Sequence, residues 1–499
     1  MEEEYTYEEF EDTYEAEPPK KQRKLWLWIL VAVLAVAVLA VGAILILPKL
    51  GGSSAGDEWT LRNAYIASDK SAAYIILPDG ESVKVKKDGI VSARITEDLK
   101  HIAVLLDDGT LYVTDKDLKA KQTIAENATS FSLSNNALIY HDKDGRYHRV
   151  SLDGKDDLDL PKDIGDTYIS AGKDKLSMAF EKNESLYVLA NGADEWTKLG
   201  GDLYSIRSLT NDGKLVLWTA RKDGKYVQYL TENDERVSLG EYNSSLYSYA
   251  MYSKDQKLMI GYAWRGDEIR IWIKQRGKDV QTVKFTGDLY DLISDAGRIP
   301  KVNASQIKYI YAVIRSDGKS NLYQISLSGE KEKVLSKTET VRFMSGNVAY
   351  LDDDGDLYVA KMGKKELGEA TKLAGDAKWP GLYGDGKYLY YMRDDVLYGY
   401  QFGAKEPVKI ASDVEDFQVS ENGRYVVVMK DGNDTTGYAL SLWKFGGKSP
   451  TKIASDGTVI RVEDSGKVYY RHIDGRSYDL MYYNGKESKK IGTDLPLSP

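Results

Sequence analysis

Residues 420–430 read SENGRYVVVMK, and the order of residue types in that stretch decides the fold. A Ser is followed by Glu, Asn, Gly and a basic residue, and then by an apolar run. Asn-Gly tolerates the positive φ angles of a tight hairpin turn. The β-branched and aromatic run after it suits a strand. The phrase returns as TNDGKLVLW at 210–218 and as GDGKYLY at 384–390. A Leu-Tyr pair follows one turn later, at Leu111-Tyr112, Leu186-Tyr187, Leu322-Tyr323, Leu357-Tyr358 and Leu397-Tyr398. A period of about 40 residues with four strand-length pieces per unit predicts the blades of a β-propeller.

Residues 90–125 serve as the template. An alternating piece at 91–96 precedes a dense apolar run at 101–106, a turn at Asp108-Gly109, a second alternating piece and a closing strand. Thirteen Asp-Gly and three Asn-Gly dipeptides punctuate the chain, and no long amphipathic helical pattern follows residue 58, so the class is all-β. The unit starts fall near Glu58, Ile90, Thr129, Thr167, Ser205, Leu246, Pro300, Val341, Lys378, Asp416 and Val459. This predicts about ten or eleven four-stranded blades, above the 4–8 of typical propellers. Two rings in tandem resolve the excess: 58–299 and 300–499, parted at the off-period stretch 285–306. One oversized or open ring is the rival. The dense runs are expected to be inner strands buried on both faces, and most of the 37 tyrosines to pack between blades.

The N-terminus is built differently. Residues 25–47 are 23 residues without a charge, long enough to span a bilayer as a helix. Trp26 and Trp28 suit the interface, and Lys20, Lys21, Arg23 and Lys24 lie just before it. The positive-inside rule then places residues 1–24 in the cytoplasm and everything after about 48 outside. The leader carries nine acidic and four basic residues, more than half of the net charge of −9. It reads as a disordered tail, with Tyr5, Tyr7, Phe10 and Tyr14 as candidate anchors for a cytoplasmic partner. Residues 48–57 form a Gly/Ser linker. The G-x-S-x-G match at 52–56 has neither the strand nor the helix of a nucleophile elbow.

The Ser/Thr-x-Asp/Asn-Gly-Lys/Arg-apolar phrase at 210–218 and 420–429 resembles the bacterial TolB-like repeats, also called WD40-like or PD40 repeats. Looser copies stand at 96–105, 171–180 and 253–262. The family's Pro after the Ser is replaced here by Asn211, Glu421 or Glu97, so the resemblance is to the broad superfamily. It implies a propeller, often one that binds protein.

Motifs for chemistry are sparse. Cysteine is absent, which removes disulfides, thiolate metal sites and thiol nucleophiles. The mildly acidic balance argues against nucleic acid. Phosphate-loop and dinucleotide fingerprints do not occur. His141 and His148 flank the turn at 142–145, and in symmetric register they face each other, with Asp142 or Asp144 as further ligands for a divalent ion. The run Asp352-Asp353-Asp354-Gly355-Asp356 lacks the Gly and Glu spacing of an EF-hand and reads as an acidic turn. No catalytic, cofactor or metal residue is singled out. The expected function is a membrane-anchored, extracytoplasmic module binding a protein, peptide or glycan of the bacterial envelope. The alternative is a glycan- or peptide-processing enzyme using carboxylates at a propeller channel.

Overall fold

The computed structural model describes residues 64–77, 82–155, 157–172, 174–242, 247–474 and 477–496. The leader, the apolar segment 25–47 and the linker lie outside these. Among the described residues no helix is long and apolar enough to cross a membrane.

The described chain is antiparallel β-sheet throughout, interrupted by two 3-10 turns. Eight sheets have four strands in sequential order, the pattern of propeller blades. The first sheet, residues 65–86, has three described strands. The last, residues 416–496, has seven and is two blades fused through one long strand. That strand, Thr451–Val462, pairs with Gly437–Lys444 through its first half and with Val468–Asp474 through its second. Counted this way the described residues form eleven blades, numbered 1–11 in chain order.

The repeated phrase is the turn from the first to the second strand of a blade. In blade 5, Thr210 donates its hydroxyl to Asp212 Oδ1 (2.7 Å) and accepts the Leu215 amide (3.1 Å), while the Lys214 amide reaches Asp212 Oδ1 (3.1 Å). Gly213 sits at φ 75, and a Cβ there would come within 2.8 Å of the Ala190 backbone. In blade 10, Ser420 and Asn422 repeat the arrangement at 2.9 and 3.0 Å. Each phrase also grips the next blade: the Asn211 amide bonds Gln256, and the Asn422 amide bonds Asp464. Thr210 is fully buried, so removing its hydroxyl orphans the Leu215 amide. Thr210→Val should cost about 1–3 kcal/mol, seen as a lowered denaturant midpoint with an unchanged slope.

The dense apolar runs are the second strands, inner strands of their sheets as expected. Leu258–Arg265 and Tyr388–Arg393 are central in their sheets, flanked by the first and third strands, and their apolar residues are buried on both faces. First strands of consecutive blades approach one another, as strands converging on an axis do.

Ten of the eleven apolar clusters among the described residues join two blades adjacent in sequence. Ala73 and Ile75 of blade 1 meet Ile95 and Val104 of blade 2, and Leu217 of blade 5 meets Met259 and Trp272 of blade 6. The remaining cluster brings Tyr74 and Ile76 of blade 1 against Leu480 and Leu495 of blade 11. Ser68 reinforces this junction through its amide and hydroxyl, both donating to the Asp494 carbonyl at 2.7 and 2.6 Å. The order of contacts is therefore circular.

The stretch 285–306, read from sequence as a divide between rings, is not a break in packing. Blade 7 begins earlier, with the strand Asp288–Ser294. Residues 295–308, with the turns Ile299–Lys301 and Ala304–Gln306, are an insertion before its second strand, Tyr309–Ser316. Ile299 and Ile307 of this insertion join the cluster that unites blades 6 and 7.

Candidate functional site

Eight large apolar side chains are exposed among the described residues, and four of them lie at the second or third position of a first strand. They are Val91 in Ile90–Ile95, Tyr204 in Leu203–Leu209, Tyr290 in Asp288–Ser294 and Trp379 in Lys378–Tyr383. One local device produces all four. The pairing of first and second strands slips between Ile90 and Ser92, Leu203 and Ser205, Leu289 and Asp291, and Lys378 and Gly381. A β-bulge leaves the extra residue off the ladder and re-aims its side chain. Thr129 and Ile460 occupy equivalent bulges in blades 3 and 11. All first strands run in the same sense relative to their blades, so these residues belong to one rim of the converging strands.

Trp379 is the extreme member. Its side chain is 68% exposed, and its backbone sits at φ 53, a costly conformation for a bulky residue. Pro380 follows it inside the bulge, where no ladder donor is needed. The tyrosines are braced. Tyr204 meets Tyr226 edge-on at 4.8 Å between centroids, and the Arg342 guanidinium lies 5.4 Å from the Tyr290 ring. Arg94 stacks on Phe131 of the next blade at 5.5 Å, and Arg207 and Arg461 stand on two further first strands. Exposed Trp and Tyr with Arg is the composition of binding hot spots. Most other tyrosines pack between blades, as read from the sequence. Tyr390 and Tyr391, for example, are buried.

Among the described residues three carboxylates have raised pKa values. Burial pushes up Asp157, Asp291 and Glu463, although Arg342 opposes it at Asp291 and Arg461 at Glu463. They lie in blades 3, 7 and 11, no two of which are neighbours.

The histidine pair is corrected. The hairpin closes through the Asp142 amide on the Arg146 carbonyl, leaving three residues in the loop with Gly145 at φ 79. His141 therefore pairs with Tyr147, and His148 with Tyr140. A one-residue slip sends the two rings to opposite faces. The His141 ring lies 3.0 Å from the Thr129 hydroxyl. His148 is buried between Asp142 (2.9 Å) and Asp159 (2.7 Å). Asp144 contributes its amide, not its carboxylate, to Asp142. The run 352–356 is an acidic turn, in which Asp352 Oδ1 accepts the amides of Asp354 and Asp356 at 3.0 and 2.9 Å. Lys319 and Lys372 pair with Asp353 and Asp356. Tyr5, Tyr7, Phe10, Tyr14 and the motif at 52–56 lie outside the described residues.

No family model matches the chain, and no curated protein matches it. Solved structures similar to it include the β-propeller domain of the Trilobed protease from Pyrococcus furiosus, 16% identical over 50% of this chain and 86% of that one, with a TM-score of 0.32. The tricorn protease is 16% identical over 86% of this chain and 49% of its own, with a TM-score of 0.27. A eukaryotic initiation factor is 9% identical over 79% and 96%, with a TM-score of 0.41. Likeness this distant carries no function across.

Proposed function

We propose that this protein is a membrane-anchored, extracytoplasmic β-propeller of the TolB-like superfamily. In this reading its eleven blades close a single ring, and it binds a protein or peptide of the bacterial envelope at the rim bearing Val91, Tyr204, Tyr290 and Trp379. The observation that carries the binding reading is the repeated bulge, which turns apolar side chains to solvent at one structural position in four blades. A fold that hides nearly every other large apolar group has a use for those it exposes. The ring reading rests on the circular order of clusters. The anchor reading rests on residues 25–47 and the basic residues before them. Under it the bilayer holds the chain, and the acidic leader is left to a cytoplasmic partner.

The enzyme reading has one group at this rim to offer, Asp291, with its raised pKa beside Arg342. Among the described residues the adjacent blades add no second raised carboxylate.

The test is capture on the full-length chain in detergent micelles, challenged in parallel with solubilised envelope proteins and a glycan array. A saturable protein or peptide ligand is expected. Saturable binding of glycans alone would replace the ligand class. Protease treatment of intact cells should digest the propeller and spare a tag fused to the leader; the reverse pattern would overturn the orientation.

A further inference from the structure

We infer that His148, Asp157 and Asp159 form a binding site for a divalent transition-metal ion, with zinc the best match, at the outer edge of blade 3. Asp157 and Asp159 are two apart on the fourth strand, Asp157–Asp159, so their side chains share a face. His148, on the third strand, is the register partner of Asp159 and shares that face. One ligand atom from each residue lies within 4.8 Å of the others. Modest side-chain rotation brings such a set to the roughly 2.0–2.2 Å that zinc takes from nitrogen and oxygen.

The observation that points to a metal, rather than to a chance acidic patch, is the far side of the imidazole. His148 Nε2 is 2.9 Å from Oδ2 of Asp142, which is only 4% exposed. The other oxygen of Asp142 accepts the amides of Asp144 (2.9 Å) and Arg146 (2.8 Å). This buried, doubly hydrogen-bonded carboxylate holds the Nε2 side of the ring and leaves Nδ1 facing the fourth strand, 2.7 Å from Asp159. This is the carboxylate–histidine–metal arrangement of protein zinc sites. The Tyr140 ring stacks on the imidazole at 4.6 Å and 12°, so its plane is fixed as well.

The charge balance agrees. Three carboxylates surround one imidazole, and the Arg146 guanidinium stands 4.0 Å from Asp159. Asp157 and Asp159 are exposed, which leaves room for water in the open coordination position. The structural consequence is specific. The three-residue fourth strand of blade 3 is the shortest fourth strand among the described residues, and the ion would staple it to the third strand.

Zinc titration calorimetry on the full-length chain tests this, with Asp157→Asn/Asp159→Asn as the main variant because both positions are exposed and tolerate change. Wild type should bind one zinc more per chain than the variant, and its melting temperature should rise with zinc while the variant's does not. Asp142→Asn should weaken that extra site by about 10–100-fold. Identical zinc binding by wild type and the double variant would place any binding elsewhere, for example on the acidic leader, and overturn the proposal. Binding of calcium but not zinc would overturn the role given to His148.

Discussion

A fragment ending at residue 299 should fail to fold as an independent domain. The circular order of contacts gives blade 6 a partner in blade 7 and blade 1 a partner in blade 11. Cutting after 299 strips both. On blade 6 the cut bares Leu258, Ile260, Ile269, Ile271 and Ile273, which lose Ile310, Ala312, Ile314 and Ile325. On blade 1 it bares Tyr74 and Ile76, which lose Leu480 and Leu495. Burying a side chain of this size is worth about 1.5–3 kcal/mol. Seven such groups together match or exceed the roughly 5–15 kcal/mol by which a whole domain is stable. Expressed alone, 58–299 and 300–499 should each aggregate or lack a sharp calorimetric transition. The span 58–499 should be soluble and unfold in one cooperative step. Two soluble halves with separate sharp transitions would restore a division into two rings.

How much of this was legible in the sequence depends on the range of each interaction. The turn phrase could be read because its chemistry is local. Thr210, Asp212 and Gly213 each serve a role within five residues of themselves. Unit starts at Ile90, Thr167, Lys378 and Asp416 coincide with first strands, and Thr129 and Ser205 fall within two residues of theirs. Pro300 was misplaced because a break in period marks an interruption without saying what it interrupts. An insertion inside blade 7 and a linker between domains look alike until packing is known. The histidine register failed for a related reason. A loop of three residues and a loop of four contain the same letters, and the hydrogen bond from Asp142 to Arg146 decides between them. The bulges are the least legible feature, because a bulge is a mismatch between two strands and neither strand alone carries it. Trp379-Pro380 was the one visible hint, since Pro inside a strand marks an edge or a bulge.

Replacing Trp379 should separate binding from stability, with opposite signs. The side chain is mostly in water, so its loss removes little packing. Its backbone, at φ 53, stores strain that a glycine does not feel. Trp379→Gly should therefore leave the melting temperature unchanged or raise it, with a gain of about 1 kcal/mol. The same variant should lose at least about 2 kcal/mol of affinity, roughly 30-fold, for the envelope ligand captured by wild type, as expected of an aromatic anchor. Trp379→Phe should restore part of the affinity and keep the strain, which distinguishes loss of the ring from relaxation of the bulge. A strained, exposed aromatic is hard to explain by folding alone, because its removal is expected to cost the fold nothing. A melting temperature that falls steeply in Trp379→Gly would make the residue structural. Undiminished affinity with unchanged stability would move recognition away from this rim, toward the loops at the opposite ends of the first strands.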